Sequence, residues 1–78
     1  MKREIKVNNF YRHFKGNIYK VLFIALDSED LSKKVIYQDV NNKDKVWVRD
    51  YDEFNSKVDK IKYPNITQEY RFERVENI

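Results

Sequence analysis

The alternation of apolar and polar positions predicts a small β protein. Residues 10–14 alternate with a period of two, which is the period of a strand. Residues 18–26 form the longest apolar run and carry apolar side chains on both strand faces, so they predict a central strand. Gly16 supplies a tight turn between these two segments. Further strands are predicted over residues 33–39, 45–49 and 70–75.

One short helix is predicted after the fourth strand, over residues 51–58. Asp50 and Glu53 have the spacing of a capping box, in which each side chain bonds the backbone N–H of the other residue. Phe54 and Val58 lie four residues apart, so they would form one apolar stripe on a helix.

About five short strands with one helix favour a mainly β fold, and an SH3-like barrel is the expected architecture. We expect residues 1–78 to form a single domain, with residues 9–75 as the barrel core. Residues 1–8 would add an edge strand or a flexible N-terminus. In the fourth strand, Val46 and Val48 are expected to point inward, with Trp47 on the opposite face.

Composition narrows the classes of function. Sixteen Lys and Arg against thirteen Asp and Glu give a net charge of +3, which permits an anionic partner without requiring one. The chain has one histidine and no cysteine, so we expect neither a disulfide nor a metal site, and no cofactor. No segment approaches the roughly 18 apolar residues of a membrane span, so we expect a cytoplasmic protein without membrane contact.

Several short motifs resemble a known family. In chain order they are Tyr11-Arg12-His13-Phe14-Lys15-Gly16, Ser28-Glu29, Trp47-Val48-Arg49 and Arg71-Phe72. Together they resemble domain-of-unknown-function family 1653, a family of small bacterial and phage domains, over residues 9–73. The sequence departs from the family at Asp50, where proline is usual, and at residues 40–42, where Leu-Tyr-Gly is common. The resemblance implies a small single domain and supplies no activity, cofactor or substrate.

Polar and aromatic side chains within these motifs are the candidate ligand-binding residues. They are Tyr11, Arg12, His13, Lys15, Ser28, Glu29, Trp47, Arg49 and Arg71. The three arginines each adjoin an aromatic residue, so they either converge on one pocket or lie as solvated side chains on their neighbours' rings.

The other candidates also have two interpretations each. His13 either faces a ligand or holds a backbone carbonyl as a structural histidine. Trp47 is either a core residue, which is the commoner role of tryptophan, or an exposed platform. Ser28 and Glu29 form either a hydrogen-bonding loop over a pocket or a polar turn.

Three hypotheses for function follow. The first is a non-enzymatic binding module for a small anionic or nucleotide-like ligand, which a phage could use to sequester a host nucleotide signal. The second is a nucleic-acid-binding small barrel, and the third is a protein-interaction module. An enzyme would need His13 within hydrogen-bond reach of Tyr11 or Glu29. A homodimer is also compatible with so small a core.

Overall fold

The fold is one antiparallel sheet with a single short helix. A computed structural model describes residues 3–76. The elements are β1 (Phe10–His13), β2 (Ile18–Leu26), β3 (Lys33–Asp39), β4 (Asn42–Asp50), α1 (Tyr51–Phe54) and β5 (Phe72–Val75). The strand order is β4-β3-β2-β1-β5, so β4 and β5 are the two edges and the sheet does not close. The mainly β prediction with five strands is confirmed, whereas closure into a barrel is not.

One face of the sheet, the core face, carries the hydrophobic core. The buried side chains of the core are Ile5, Tyr11, Val21, Val35, Tyr37, Phe54 and Phe72. Phe54 of α1 stacks on Phe72 of β5 with ring centroids 3.9 Å apart, and neither side chain is more than 1% exposed. The helix therefore covers the core face, and the opposite face, the open face, stays in contact with solvent.

A β-bulge in β2 moves the apolar residues that follow it to the opposite face of the sheet. The register with β3 shifts between Val21 and Phe23, which leaves Leu22 as the extra residue. Val21 pairs with Tyr37 on the core face, but Phe23 pairs with Ile36 on the open face. Simple alternation predicts that Val21 and Phe23 lie on the same face of the strand. This prediction is wrong, because the bulge at Leu22 places them on opposite faces.

The faces of β4 are the reverse of the prediction. Trp47 pairs with Tyr37, so it lies on the core face together with Arg49. Val46 and Val48 lie on the open face and are 49% and 63% exposed. The expectation that these valines point inward is wrong, because pairing with β3 fixes the register and places an arginine where a hydrophobic residue was expected.

The helix is shorter than the predicted 51–58. It ends at Phe54, after which Ser56 Oγ donates to the carbonyl of Glu53 over 2.6 Å. The Ser56 carbonyl then accepts the N–H of Arg71 over 2.8 Å, which draws the chain away from the helix axis. Val58 is still buried, although it lies outside the helix.

The predicted capping box does not form. Asp50 makes no side-chain hydrogen bond to the helix N-terminus. Its carboxylate pairs instead with Lys34 on β3, and Glu53 pairs with Arg49 over 2.6 Å. Glu53 therefore ties the helix to β4, and Asp50 links the end of β4 to β3.

The N-terminal segment packs against the core without forming a strand. The N–H of Ile5 donates to Tyr51 Oη, and the N–H of Lys6 donates to Tyr11 Oη, both over 2.9 Å. Residues 1 and 2, which belong to the predicted N-terminal segment, lie outside the described residues. Within residues 3–76, no helix has the length and apolar character to cross a membrane.

Candidate functional site

A cavity of about 230 Å³ opens on the core face beside the β4 edge. Its lining comes from β1 to β5 and the turn between β1 and β2: His13, Lys15, Asn17, Tyr19, Tyr37, Trp47, Arg49 and Phe72. We call it the aromatic cavity. Among the candidate residues from the sequence, His13, Lys15, Trp47 and Arg49 meet here.

Aromatic rings form the floor and one wall of the cavity. The ring centroids of Tyr19 and Tyr37 lie 5.2 Å apart, and that of Phe72 lies 5.5 Å from that of Tyr37. These pairs are edge-to-face, the favourable arrangement of packed rings. Trp47, directly across from Tyr37, is 46% exposed. The floor is therefore rigid, while the Trp47 ring is accessible to a ligand.

Arg49 is held in place by two hydrogen bonds. Its Nε donates to Tyr37 Oη over 3.2 Å, and its Nη1 donates to Glu53 Oε1 over 2.6 Å. The guanidinium carbon lies 5.7 Å from the centroid of Phe72. Neither bond uses Nη2, so this nitrogen keeps its N–H donors for another acceptor.

His13 presents a defined face to the cavity. Its Nδ1 accepts the backbone N–H of Lys15 over 3.1 Å, so the neutral ring carries its proton on Nε2. The ring packs edge-on against Phe72, with centroids 4.9 Å apart, and stacks on Phe14 at 4.4 Å. This packing restricts the imidazole to one orientation.

The electrostatic environment of His13 is positive. Its pKa is lowered from 6.5 to about 4, first by burial and then by the charges of Arg49, Arg71 and Lys15. His13 is therefore neutral at pH 7 and acts as a hydrogen-bond donor through Nε2. Since three cations act on one ring, an anion close to it would find a favourable potential.

Negative charge is scarce at this site. No carboxylate lines the cavity as formed by the described residues. Glu53 is bonded to Arg49, and Arg71, which lies outside the lining, donates from Nε to Ser56 Oγ over 3.3 Å. The site can therefore attract an anion and offer it donors.

Two of the candidate residues on β1 lie elsewhere. Tyr11 is 2% exposed, and its hydroxyl accepts the N–H of Lys6, so it is a core residue. Arg12 is exposed on the open face, where it pairs in register with Ile18 and Glu73. The structure thus brings Arg49 and Arg71 to the surroundings of His13 but separates Arg12 from them.

Ser28 and Glu29 lie in the turn between β2 and β3. Both are exposed, and the N–H of Glu29 donates to Asp27 Oδ1 over 2.8 Å, as in a polar turn. Neither residue lines the aromatic cavity. Within residues 3–76, His13 forms no hydrogen bond with Tyr11 or Glu29, which was the arrangement expected for an enzyme.

Four further residues line the cavity although the short motifs do not single them out as ligand-binding residues: Asn17, Tyr19, Tyr37 and Phe72. The tyrosines looked like ordinary strand residues, because the period of two does not show which strands are neighbours. Cross-strand pairing alone would have shown that Tyr37 and Trp47 are adjacent.

A wider groove runs beside α1, with a volume of about 1170 Å³. It is lined by side chains of both signs, several of which already have partners. Lys34 pairs with Asp50, and Arg3 donates from Nε to Asn55 Oδ1 and lies 4.0 Å from the ring centroid of Tyr70. The described residues bring no three potential metal-ligating side chains together there or elsewhere. The smaller aromatic cavity differs in having no carboxylate among the described residues that line it.

Comparison with known protein families identifies a match over most of the chain. The family model described as "Protein of unknown function (DUF1653)" matches residues 9–74. No curated protein matches the chain, and no solved structure does. The match covers most of the sequence and agrees with the family that the motifs resemble. The chain belongs to the DUF1653 family of proteins of unknown function.

Proposed function

We propose that the protein is a non-enzymatic binding module whose aromatic cavity takes a small anionic or nucleotide-like ligand. One observation carries the proposal: Lys15, Arg49 and a neutral His13 share a single cavity with aromatic rings, and no carboxylate lines it within the described chain. Cationic donors beside an accessible ring recognise an anionic group that is attached to a planar group.

Each side chain has a distinct part in binding. Arg49 Nη2 and Lys15 Nζ pair with the anionic group, and His13 Nε2 donates a neutral hydrogen bond to it. Trp47 stacks on the planar part of the ligand at the cavity mouth. The bonds from Arg49 to Tyr37 and Glu53 hold the guanidinium in position before the ligand arrives, which lowers the entropic cost of binding.

The size of the cavity limits the ligand. Pockets for drug-sized molecules have volumes of roughly 300–1,000 Å³, whereas the aromatic cavity has about 230 Å³. It therefore suits one ring or one anionic group, and the rest of a larger ligand would extend into solvent past Trp47.

Nucleic-acid binding is the second candidate from the sequence. It requires an extended row of cations, whereas the cavity requires one cluster of donors. Arg49 is paired with Glu53 through Nη1, so its part in the cavity depends on Nη2. Surface cations have carboxylate partners at several places: Lys6 with Glu4, Lys34 with Asp50, Lys57 with Glu69 and Arg74 with Glu76. A groove that follows a phosphate backbone needs a stripe of unpaired cations.

We also propose a cellular location, an origin and a fold relationship for the protein. We place this DUF1653 member in the bacterial or phage cytoplasm, with a sheet related to the SH3-like barrels. In a phage, the same cavity would sequester a host nucleotide signal.

The fluorescence of Trp47, the single tryptophan, tests the proposal. We expect adenosine monophosphate to shift or quench its emission, with inorganic phosphate and adenosine each binding more weakly. Replacing Arg49 by glutamine should weaken binding about tenfold or more, because a charged hydrogen bond is lost.

The control is Arg12→Gln, which removes the same charge from the open face. It should leave the affinity for adenosine monophosphate unchanged. No response from any of the three compounds would contradict the proposal. Equal weakening by both substitutions, with a steep loss of affinity in salt, would point to non-specific attraction by net charge and would favour the nucleic-acid alternative.

A further inference from the structure

The outer side of β4 is free of backbone partners in the described chain. β4 spans nine residues at the sheet edge, and β3 is its hydrogen-bonded neighbour. Residues 46–50 contain no proline, and the register shift of this strand pair lies at the other end, between Gln38 and Asp39. Proteins usually protect such an edge with proline, a bulge or charges, because it can pair with another strand. In β4 the irregularity and the charged residues 43–45 protect the first half, so residues 46–50 are the part that can pair.

We propose that β4 pairs antiparallel with β4 of a second copy of this chain, about a twofold axis at Val48. The two sheets would join into one sheet of ten strands, and the aromatic cavities of the two copies would lie side by side. This inference is independent of the proposed ligand, because it rests on the strand edge and its charges.

The charges along β4 select this register. In an antiparallel pair, residues directly opposite each other lie on the same face, so the twofold axis must pass through a residue position. The regular part of β4 is residues 46–50, because the pairing with β3 passes from Val46 directly to Asn42. An axis at Val46 or Trp47 would carry the new pairing into the irregular residues 43–45, and an axis at Trp47 would also bring Lys45 towards Arg49. An axis at Arg49 would place two arginines opposite each other. Like charges directly opposite destabilise a sheet.

An axis at Val48 avoids these like-charge pairs. Val48 then faces Val48 of the second copy, and Val46 faces Asp50. Trp47 of each copy lies opposite Arg49 of the other, which is a favourable pairing of a ring with a guanidinium. Both side chains line the aromatic cavity, so the second copy would contribute a wall to each site.

The open face supports the same arrangement. Phe23, Ile36 and Val48 form a continuous apolar row across β2, β3 and β4. Pairing about Val48 extends this row into the identical row of the second copy. Val48 is 63% exposed, and contact with Val48 of the second copy would cover part of its side chain.

Disulfide trapping tests the register, since the chain contains no cysteine of its own. Opposed Cα atoms in an antiparallel pair lie about 4.5–5.5 Å apart, within the range of a disulfide. Val48→Cys should therefore form a covalent dimer under mild oxidation. Val46→Cys is the matched control, because four residues of offset place its sulfurs about 14 Å apart along the strand.

Sedimentation equilibrium of the unmodified protein provides a second measurement. We expect the unmodified protein to form a dimer as its concentration rises. The variant Val48→Lys should remain a monomer, whereas Phe23→Lys should still form the dimer. A monomer at every concentration, or equal trapping of the Val48→Cys and Val46→Cys variants, would overturn the inference. Disulfide trapping is done without ligand, so its result tests the dimer alone. The fluorescence titration tests ligand binding separately.

Discussion

The two faces of the sheet have similar shares of apolar residues but different surroundings. On the core face, α1 and the N-terminal segment cover most of the surface, and they leave one cavity where Trp47 and Arg49 remain accessible. On the open face, Phe23 and Val48 face solvent without any covering element from the described chain. The aromatic cavity therefore lies at a gap in the covering of the core face, whereas apolar side chains of the open face are left in contact with solvent.

The largest expected difference between the faces is in core packing. Phe54→Ala removes a ring that is 0% exposed and stacked on Phe72, and it should lower the free energy of unfolding by about 3–5 kcal/mol. Phe23→Ala on the open face should lower it by less than about 1 kcal/mol, because its ring is already largely hydrated. Urea denaturation measures both. Equal losses would mean that the open face is covered in the folded protein.

The next largest difference concerns two arginines on opposite faces. Arg49→Gln breaks the bonds to Tyr37 and Glu53 and should lower the free energy of unfolding by about 1–2 kcal/mol. Arg12→Gln should change it by no more than about 0.5 kcal/mol, since the side chain is exposed. Thermal denaturation of both variants checks this. A greater loss of stability for Arg12→Gln than for Arg49→Gln would contradict the assignment of Arg49 as the arginine that stabilises the fold.

A smaller effect should appear as pH falls. The pKa of His13 is about 4 in the folded protein and near 6.5 when unfolded, so the unfolded chain binds more protons. Stability is therefore highest above pH 6.5 and declines as pH falls towards 4. Because the ring is only partly buried, we expect this contribution to be about 1 kcal/mol.

The variant His13→Gln isolates this contribution from the titration of carboxylates. Urea denaturation at several pH values between 6.5 and 5 should show a shallower decline for the variant than for the unmodified protein. Parallel curves would show that His13 is not shielded from solvent by Phe72 and Phe14.

The smallest predicted effect links pH to ligand binding. An anion in the aromatic cavity favours the protonated form of His13, so binding of sulfate should tighten as pH falls from 7 towards 5. The His13→Gln variant is the control, because it lacks the imidazole that takes up the proton. Isothermal titration at several pH values measures the trend, and weaker binding at pH 5 would contradict it.

Local patterns predicted the strands well, because the signals of a strand are contained in its own residues. The predicted ranges 18–26 and 33–39 agree with β2 and β3. The faces were harder to predict, because they depend on how strands pair. Leu22 gives no sign of a bulge in the sequence, and the inward direction of Arg49 follows from its bond to Tyr37, a residue twelve positions away.

The candidate site could be predicted in part for the same reason. His13 and Lys15 come from one motif and Trp47 and Arg49 from another, so short motifs were sufficient to find them. The floor of the cavity required the sheet order, which brings β5 beside β1 and Phe72 beside His13.

Chemical-shift mapping by NMR shows directly whether a ligand binds in the aromatic cavity. Adenosine monophosphate is titrated into labelled protein while the backbone amides and the Trp47 indole N–H are observed. If the ligand binds in the aromatic cavity, the amide signals of the cavity residues should shift and saturate: His13, Lys15, Trp47 and Arg49. The amide signals of Phe23 and Arg12 on the open face should not change. Shifts confined to the open face, or shifts spread without saturation over the surface lysines, would contradict ligand binding in the aromatic cavity.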